Sequence, residues 1–546
     1  MPEITIDGRV CSYEGKKSIL EVALDNQADI PHYCWHPGLS VVASCRICLA
    51  EVEAPNPRAD GKLELIPKLV PTCQTPAADG MVVHTASPKS VANQKSVMEY
   101  LLINHPLDCP VCDQAGECLL QDYSYEYGHG SSRFEEDKIK QPKKDIGPHV
   151  LLYSDRCIMC SRCVRFTREV TGTGELGVFG RGSSEQIDVF PGMPLDNELS
   201  GNVIDICPVG ALLDKDFLMT MRVWNLERTP SIDGLTCSGD NLSIQHNDGK
   251  VYRVKPRTNM DVNQWWTSDE IRFGWKFVHS QDRLRTPMVQ ADNNAGLDAA
   301  EWPDAQAAAL DVLRSTVQLH GPGSLALVVS PMLSCEDAYL LGKLIVAIDP
   351  DAPLCVGPVP RKGEDRTYPG GYTTYAEKAP NARGVRRALE LLTEEVHDYE
   401  GFLSSAQGAR AVLLTGNYPS RWAEPALLDA LQGKRVVLID TLASDLVDSA
   451  EVLLPGATWV EKAGSFENVQ NKLQHFERAI RPIEHCKAEG AIALELMRKA
   501  GLSTPNGVAV YDAEAVRREM GDAFVTDIEH PAESDVMWSD AQYVTL

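Results

Sequence analysis

Residues 154–163, SDRCIMCSRC, set Cys157, Cys160 and Cys163 in the spacing C-x2-C-x2-C, and residues 201–208, GNVIDICP, add Cys207 directly before a proline. Thiolates this close must converge on one inorganic centre, and a C-x2-C-x2-C run with a remote Cys-Pro is the ligand pattern of a [4Fe–4S] cluster. Upstream, NHPLDCPVCDQAGEC at 104–118 gives H-x3-C-x2-C-x5-C through His105, Cys109, Cys112 and Cys118. Three packed thiolates need a fourth ligand, and His105 is the candidate in position. An imidazole replacing a thiolate leaves a cluster one charge less negative and raises its potential. The plainer alternative is that His105 caps the C-terminus of the preceding helix. Further upstream stand Cys34, Cys45, Cys48 and Cys73, spaced C-x10-C-x2-C-x24-C. That is one loop supplying three thiolates and a later segment the fourth, the logic of a [2Fe–2S] site. A structural zinc site or free core cysteines are the alternatives, but zinc more usually shows two tight pairs. Gly38 and Ser44 are expected to give this loop its conformational freedom.

The Cys207-Pro208 step carries further information. In two-cluster ferredoxins each triplet borrows its fourth ligand from the other motif. The second triplet belongs at Asn197, Ser200 and Val203, and the first motif's own fourth position is Thr167. All four ligands of the second cubane are missing together, so the frame is that of a two-cluster ferredoxin with one cluster lost. Arg156, Arg162, Arg165 and Arg168 surround the triplet; raising the cluster's potential and docking a partner are the alternatives, and a solvated helix face is the expectation.

Twelve of the 16 cysteines precede residue 210, and their CxxC pairs point to metal rather than disulfides. The chain holds 52 Lys plus Arg against 77 Asp plus Glu, a net charge of −25 over 546 residues. Such an excess repels phosphate backbones and argues against a nucleic-acid partner. Apolar runs such as Leu325–Val329 are far too short to span a bilayer. The opening MPEITIDG has neither a basic nor an apolar leader region, so an intracellular, soluble or peripheral protein is expected. Gly172-Thr173-Gly174-Glu175-Leu176-Gly177 matches GxGxxG, but a helical ligand segment precedes it where a dinucleotide site needs a strand. Cys11, Cys335, Cys355 and Cys486 are scattered and expected to be buried or inert.

The order of these constellations resembles the 75 kDa iron–sulfur subunit, also called the G subunit, of the proton-pumping NADH:quinone oxidoreductase, respiratory complex I. PHYCWHPGLSVVASCRICLAEVE, NHPLDCPVCDQAGECLLQD, SDRCIMCSRCVRFTREVTGTGELG and GNVIDICPVGAL carry the resemblance over about the first 280 residues. SCEDAYLLGKL, NARG at 381–384 and EVLLPGATWVEKAGSFENVQNKLQ at 451–474 are more loosely similar to molybdopterin oxidoreductases. Some family members carry a further [4Fe–4S] in the segment opening TPSI. Here the corresponding positions are Asp233, Thr236, Asp240 and Ser268, and Cys237 alone cannot hold a cubane.

The expected architecture is multidomain α+β and α/β. A β-grasp, ferredoxin-like [2Fe–2S] domain at 1–80 precedes a [4Fe–4S] domain at 81–128 with one histidine and three cysteines as ligands. A bacterial-ferredoxin-like [4Fe–4S] domain with one cluster lost spans 145–220, and a molybdopterin-oxidoreductase N-terminal-like domain lacking cluster ligands spans 221–277. A degenerate molybdopterin-oxidoreductase-like α/β scaffold at 278–500 is followed by an acidic extension at 501–546, with nine acidic and two basic residues. The resemblance implies an electron relay rather than a substrate-binding chain. It would hold one [2Fe–2S] and two [4Fe–4S] clusters and no molybdenum. NADH and FMN would sit on a partner subunit, quinone-side iron–sulfur subunits would lie downstream, and the site of action would be the cytoplasmic face of a bacterial inner membrane. The expected main route uses the two cubanes, with the [2Fe–2S] centre alongside. The alternatives are a cluster-bearing large subunit of an NAD-linked formate dehydrogenase or hydrogenase, or a ferredoxin-like adaptor serving several partners.

Overall fold

The computed structural model describes all residues except 57, 59, 60, 292–295, 406, 506–509 and 526–546. Among the described residues the chain divides into two compact units, 1–225 with 368–372, and 226–367 with 373–525.

Unit 1 opens with the hairpin announced by Asp7-Gly8, strands β1 (Glu3–Ile6) and β2 (Arg9–Ser12), with Asp7 and Gly8 both at positive φ. Helix α1 (Ile19–Asp25) starts at a capping box in which Ser18 and Glu21 satisfy each other's backbone donors. It turns Ile19, Leu20, Val22 and Ala23 into the core. Strands β3 (Leu49–Asn56), β4 (Lys62–Leu65), β5 (Val70–Pro71) and β6 (Val82–His84) complete a sheet of order β2-β1-β6-β3-β4, with β5 on β3. β6 lies between β1 (parallel) and β3 (antiparallel), so a domain ending at residue 80 would lose its central strand.

Helix α2 (Pro88–Leu102), capped by Ser87, and helix α3 (Leu119–Glu126) bracket the second cysteine loop. Strands β7 (Lys143–Asp145) and β8 (Val150–Tyr153) lead to the short helix α4 (Arg162–Arg165). The hairpin β9 (Leu176–Phe179) and β10 (Gln186–Val189) follows, then helix α5 (Asn202–Ile206) and strand β11 (Leu212–Asp214), which pairs with β8.

Unit 2 begins with the antiparallel sheet β12 (Glu227–Ile232), β13 (Asn241–Asn247) and β14 (Lys250–Pro256), followed by helix α6 (Asp269–Phe273). Two edge strands, β15 (Met288–Gln290) and β16 (Leu297–Ala299), precede helix α7 (Trp302–His320) and strand β17 (Leu325–Val329). Next come α8 (Cys335–Ile348), β18 (Leu354–Val356), the small pair β19 (Arg366–Thr367) and β20 (Thr373–Thr374), α9 (Ala382–Leu389) and β21 (Val396–His397). The unit continues through α10 (Tyr399–Ser405), β22 (Ala411–Thr415), α11 (Pro425–Leu431), β23 (Arg435–Asp440), β24 (Val452–Pro455) and the hairpin β25 (Gly464–Glu467) and β26 (Leu473–Phe476). Helices α12 (Glu489–Lys499) and α13 (Ala513–Met520) follow.

The large sheet has the order β16-β15-β24-β23-β22-β17-β18-β21 and is parallel from β24 to β21. Its strands are near-continuous apolar runs because helices cover both faces, one core holding Leu327, Leu341 and Ile439 and the other Val328, Phe402 and Leu438. This is the expected α/β construction.

The chain after 501 is not wholly a solvated extension. Val516 and Met520 of α13, with Phe524, are buried in the first of these cores. Residues 526–546 of that expected extension lie outside the described residues. Among the described residues no helix is long and apolar enough to cross a membrane.

Candidate metal centres

The first ligand loop runs from α1 to β3. Its middle cysteine, Cys45, is flanked by Ala43 at φ 50° and Arg46 at φ 61°, and these left-handed residues, not Gly38 or Ser44, turn the loop. The third loop repeats the device, with Met159 at φ 54° and Ser161 at φ 58° on either side of Cys160. Left-handed backbone at non-glycine residues costs about 1–3 kcal/mol each and persists where the surroundings impose it.

In the first set Cys34, Cys48 and Cys73 are buried and Cys45 is partly so. Cys48 Sγ stands 3.6 Å from Cys73 Sγ. Hydrogen bonds from the Cys45 and Cys73 thiols hold Cys34 well below the usual thiol range, while the same contacts push Cys45 and Cys73 up. The Cys73 thiol pulls Cys48 down to about 7. Four sulfurs therefore meet in one pocket.

In the third set Cys157, Cys160, Cys163 and Cys207 line one cavity, with Ser161, Arg162 and apolar groups such as Leu152, Ile187 and Val209 forming the rest of its wall. Burial, reinforced by repulsion from the neighbouring thiols, raises Cys157 to about 12 and Cys207 to about 11, and pushes Cys163 well above the usual thiol range. A dry pocket that gathers four thiols and penalises their charge fits a cationic inorganic core that would offset that penalty. The Met159 amide lies 3.4 Å from Cys157 Sγ, the kind of donor that tunes a cluster.

The second set is held between the helices. Cys109 opens a 3-10 turn, Cys112 closes it by donating its amide to the Cys109 carbonyl (3.2 Å), and Cys118 is the N-cap of α3. Burial raises Cys112, and takes Cys118 up to about 12. Burial lowers His105 to about 4, so the imidazole is neutral at physiological pH, the form a metal ligand needs. The helix-cap role is filled otherwise, since Lys138 Nζ donates to the Leu102 and Ile103 carbonyls at the end of α2 (2.7 and 2.9 Å). His105 and Cys112 share Asp108 and Arg156 as electrostatic neighbours. Among the described residues no group of three or more His, Cys, Asp or Glu is drawn together as a single ion would require. Cluster ligands differ in standing on separate irons, spaced by the inorganic core.

The sets are tied to one another. Gly210, two residues past Pro208, lies so close to Cys112 that a Cβ there would come within 2.4 Å of its sulfur. Arg156, beside Cys157, donates through Nε to Asp108 Oδ2 at 3.0 Å, beside Cys109, and stacks on Tyr153. Arg162 is fully buried and Arg165 is 8% exposed. The solvated helix face expected of these arginines is therefore confined to Arg168. Sequence pattern alone missed them because the periodicity of a four-residue helix is too short to define a face.

The vacated second-cubane positions are filled. Asn197, Ser200, Val203 and Thr167 are all buried, and Asn197 Nδ2 donates to Glu175 Oε1 at 3.0 Å. The rejected glycine motif supplies part of this filling, since the Gly174 amide donates to the Thr167 carbonyl (2.9 Å) and a strand, β9, follows it rather than a helix.

Asp233, Thr236, Asp240 and Ser268 in unit 2 are buried as well. Asp233 accepts from Thr236 Oγ1, from Ser238 Oγ at 3.0 Å and from the Leu235 amide at 2.8 Å, while Ser268 caps α6. Burial, with repulsion from Asp240, pushes Asp233 up to about 7. An acid whose folded pKa exceeds its unfolded value, about 3.9, binds more protons when folded, so its contribution to stability falls as pH rises between those values. Asp233→Asn is expected to flatten the unit 2 unfolding curve between about pH 4 and 7 by up to ~1.4 kcal/mol per pH unit. An unchanged slope in guanidinium titrations across that range would count against it.

Cys237 and the scattered Cys335, Cys355 and Cys486 are buried, and burial raises each to about 12. Asn381 of the NARG stretch is buried, donates to the Leu333 carbonyl (2.7 Å) and accepts from the Glu467 amide (2.8 Å). Its role is to pin β25.

Family models match along this same order. A "2Fe-2S iron-sulfur cluster binding domain" covers residues 2–88, and an "NADH-ubiquinone oxidoreductase-G iron-sulfur binding region" covers 94–133. "NADH-quinone oxidoreductase subunit 3, ferredoxin-like domain" covers 147–213, and "NADH-ubiquinone oxidoreductase NDSU1/NuoG-like, 4Fe-4S domain" covers 226–276. "Molybdopterin oxidoreductase" matches 393–499. The chain is 40% identical over 347 residues to the mitochondrial NADH-ubiquinone oxidoreductase 78 kDa subunit of Candida albicans, covering 63% of this chain and 46% of that protein. It is 36% identical over 345 residues to the NADH-quinone oxidoreductase G subunit of Rickettsia felis, covering 63% and 49%. To the mitochondrial NADH dehydrogenase [ubiquinone] iron-sulfur protein 1 of Solanum tuberosum it is 42% identical over 311 residues, covering 57% and 40%. The chain thus spans rather less than half the length of the curated relatives it matches. Over its first 276 residues, the chain is thus similar, domain by domain and in the same order, to G subunits of NADH-quinone oxidoreductases.

Proposed function

We propose that this chain is the iron–sulfur relay of an NADH:quinone oxidoreductase. It holds a [2Fe–2S] cluster on Cys34, Cys45, Cys48 and Cys73, and a [4Fe–4S] cluster on Cys157, Cys160, Cys163 and Cys207. A second [4Fe–4S] cluster sits on His105, Cys109, Cys112 and Cys118. Asp233, Thr236, Asp240 and Ser268 hold no cluster, because their side chains are committed to a buried hydrogen-bond network and a helix cap. Bound clusters supply one-electron carriers; the chain's own residues place them, keep them dry and set their potentials.

The observation that carries this reading is the tying together of the three thiol sets. The third set is joined to the first through Arg162 and Arg165, and to the second through the Arg156–Asp108 pair and the Gly210–Cys112 approach. An electron path from first to third to second set follows these contacts, which makes the [2Fe–2S] centre part of the line rather than a side branch. Electrons enter from NADH through the FMN of a partner subunit. They leave near the second set, where Leu107 (82% exposed) and Val111 are exposed apolar side chains of the kind a quinone-side iron–sulfur subunit would cover. The chain acts at the cytoplasmic face of a bacterial membrane, peripherally. The test is Cys160→Ser in the assembled enzyme, which must stop quinone reduction.

A further inference from the structure

Arg162 and Arg165 stand at the two ends of α4, three residues apart, which on a helix places their side chains on one side. Arg162 donates to the Trp35 carbonyl at 2.6 Å and to the Ile206 carbonyl at 3.2 Å. Arg165 donates to the carbonyls of Cys34 and Ser40, and to that of Cys160 at 3.4 Å. Cys34, Trp35 and Ser40 belong to the first ligand loop, whereas Cys160 and Ile206, the neighbour of Cys207, belong to the third. Each guanidinium therefore spans both sets. The thiols of Cys160, Cys34 and Cys207 all lie within electrostatic reach of Arg162, and Cys160 feels Arg165 as well. A guanidinium does not deprotonate in a protein, so each holds a fixed positive charge in low-dielectric surroundings. Hydrogen bonds to carbonyls are within the means of a neutral glutamine; the charge is what arginine adds.

We propose that Arg162 and Arg165 form a shared cationic bridge that raises the reduction potentials of the first and third clusters together. The inference rests on the cluster assignment above. Adding an electron to either cluster adds a negative charge, and a buried cation within reach of both stabilises each reduced form more than the oxidised one. The bridge thereby moves the two potentials in parallel, so the driving force between the two clusters does not depend on it.

The experiment is an EPR-monitored redox titration of the assembled enzyme carrying Arg162→Gln or Arg165→Gln, with Arg162→Lys and Arg165→Lys beside them. The glutamine variants are expected to shift both midpoints negative by at least a tenfold change in the oxidised-to-reduced ratio at fixed potential, ~59 mV for a one-electron couple. The second cluster's midpoint is expected to stay in place, and the lysine variants to lie nearer the parent. Full-intensity signals with unmoved midpoints, a shift in one cluster alone, or an equal shift in the lysine variants would overturn the proposal. Where Arg162→Gln does not assemble a cluster, Arg165→Gln decides by the same criteria. Absence of the first and third signals from the parent enzyme would instead refute the cluster assignment itself.

Discussion

Cys160→Ser is expected to reduce quinone reduction by at least ~100-fold while leaving NADH:ferricyanide activity at the parent level. Cys160 is the middle cysteine of the third set's triplet and its proposed middle ligand, flanked by two left-handed residues and within electrostatic reach of Cys34 of the first. A serine at this position withdraws one of four soft donors from a cavity whose other lining residues include no further thiol to replace it. Outer partners of metal ligands alone are worth roughly 10–100-fold, so loss of a ligand weighs more. Because the third set is tied to both others, its loss interrupts the path rather than a branch. On the proposed route the flavin lies upstream of this chain and ferricyanide takes electrons there, so that activity would report that NADH oxidation is intact. Parent-level quinone reduction in an enzyme lacking the third EPR signal would contradict the route.

The second large effect is on unit 2. Lys462 is almost fully buried, with Asp337 Oδ2 at 2.8 Å and Glu489 also bound to its ammonium, and both acids are buried. Asn417 Nδ2 holds the other Glu489 oxygen at 3.1 Å. Lys462→Met keeps the chain length and removes the charge, leaving two carboxyls in an apolar interior. Breaking a buried pair costs about 3–5 kcal/mol, and here one cation serves two acids. Burial already pushes Glu489 up to about 7, against the pull of Lys462. Without the lysine the folded Glu489 carboxyl binds its proton still more readily than the unfolded chain does. The loss is therefore expected to shrink as pH falls and to grow as pH rises toward neutrality. Guanidinium midpoints at pH 5 and 7.5 would check this; equal losses at both would place the cost in packing rather than charge.

The cysteine spacings made the three candidate sets legible because ligands close in sequence remain close in space whatever the fold around them. Hairpin, capping-box and strand signals worked for the same reason. The failures all involved partners distant in sequence. The arginines of α4 looked solvated until a loop more than 120 residues upstream proved to supply carbonyls for both. β6 fell beyond the expected boundary because its neighbours, β1 and β3, are separated from it by other elements. Acid-rich composition suggested a solvated end after 501, yet Val516, Met520 and Phe524 reach the core. Charge on one face of a helix does not reveal burial of the other. Ala43, Arg46, Met159 and Ser161 carry no sequence mark of a left-handed backbone, which the surrounding fold imposes on them.

Iron, acid-labile sulfide and molybdenum measured per anaerobically purified chain test the central claim most directly. The account predicts about ten irons, matched by sulfide, with no molybdenum. About fourteen irons would place a further cubane where Asp233 and Ser268 are argued to exclude it, about six would remove one of the assigned cubanes, and stoichiometric molybdenum would make this chain a catalytic oxidoreductase in its own right.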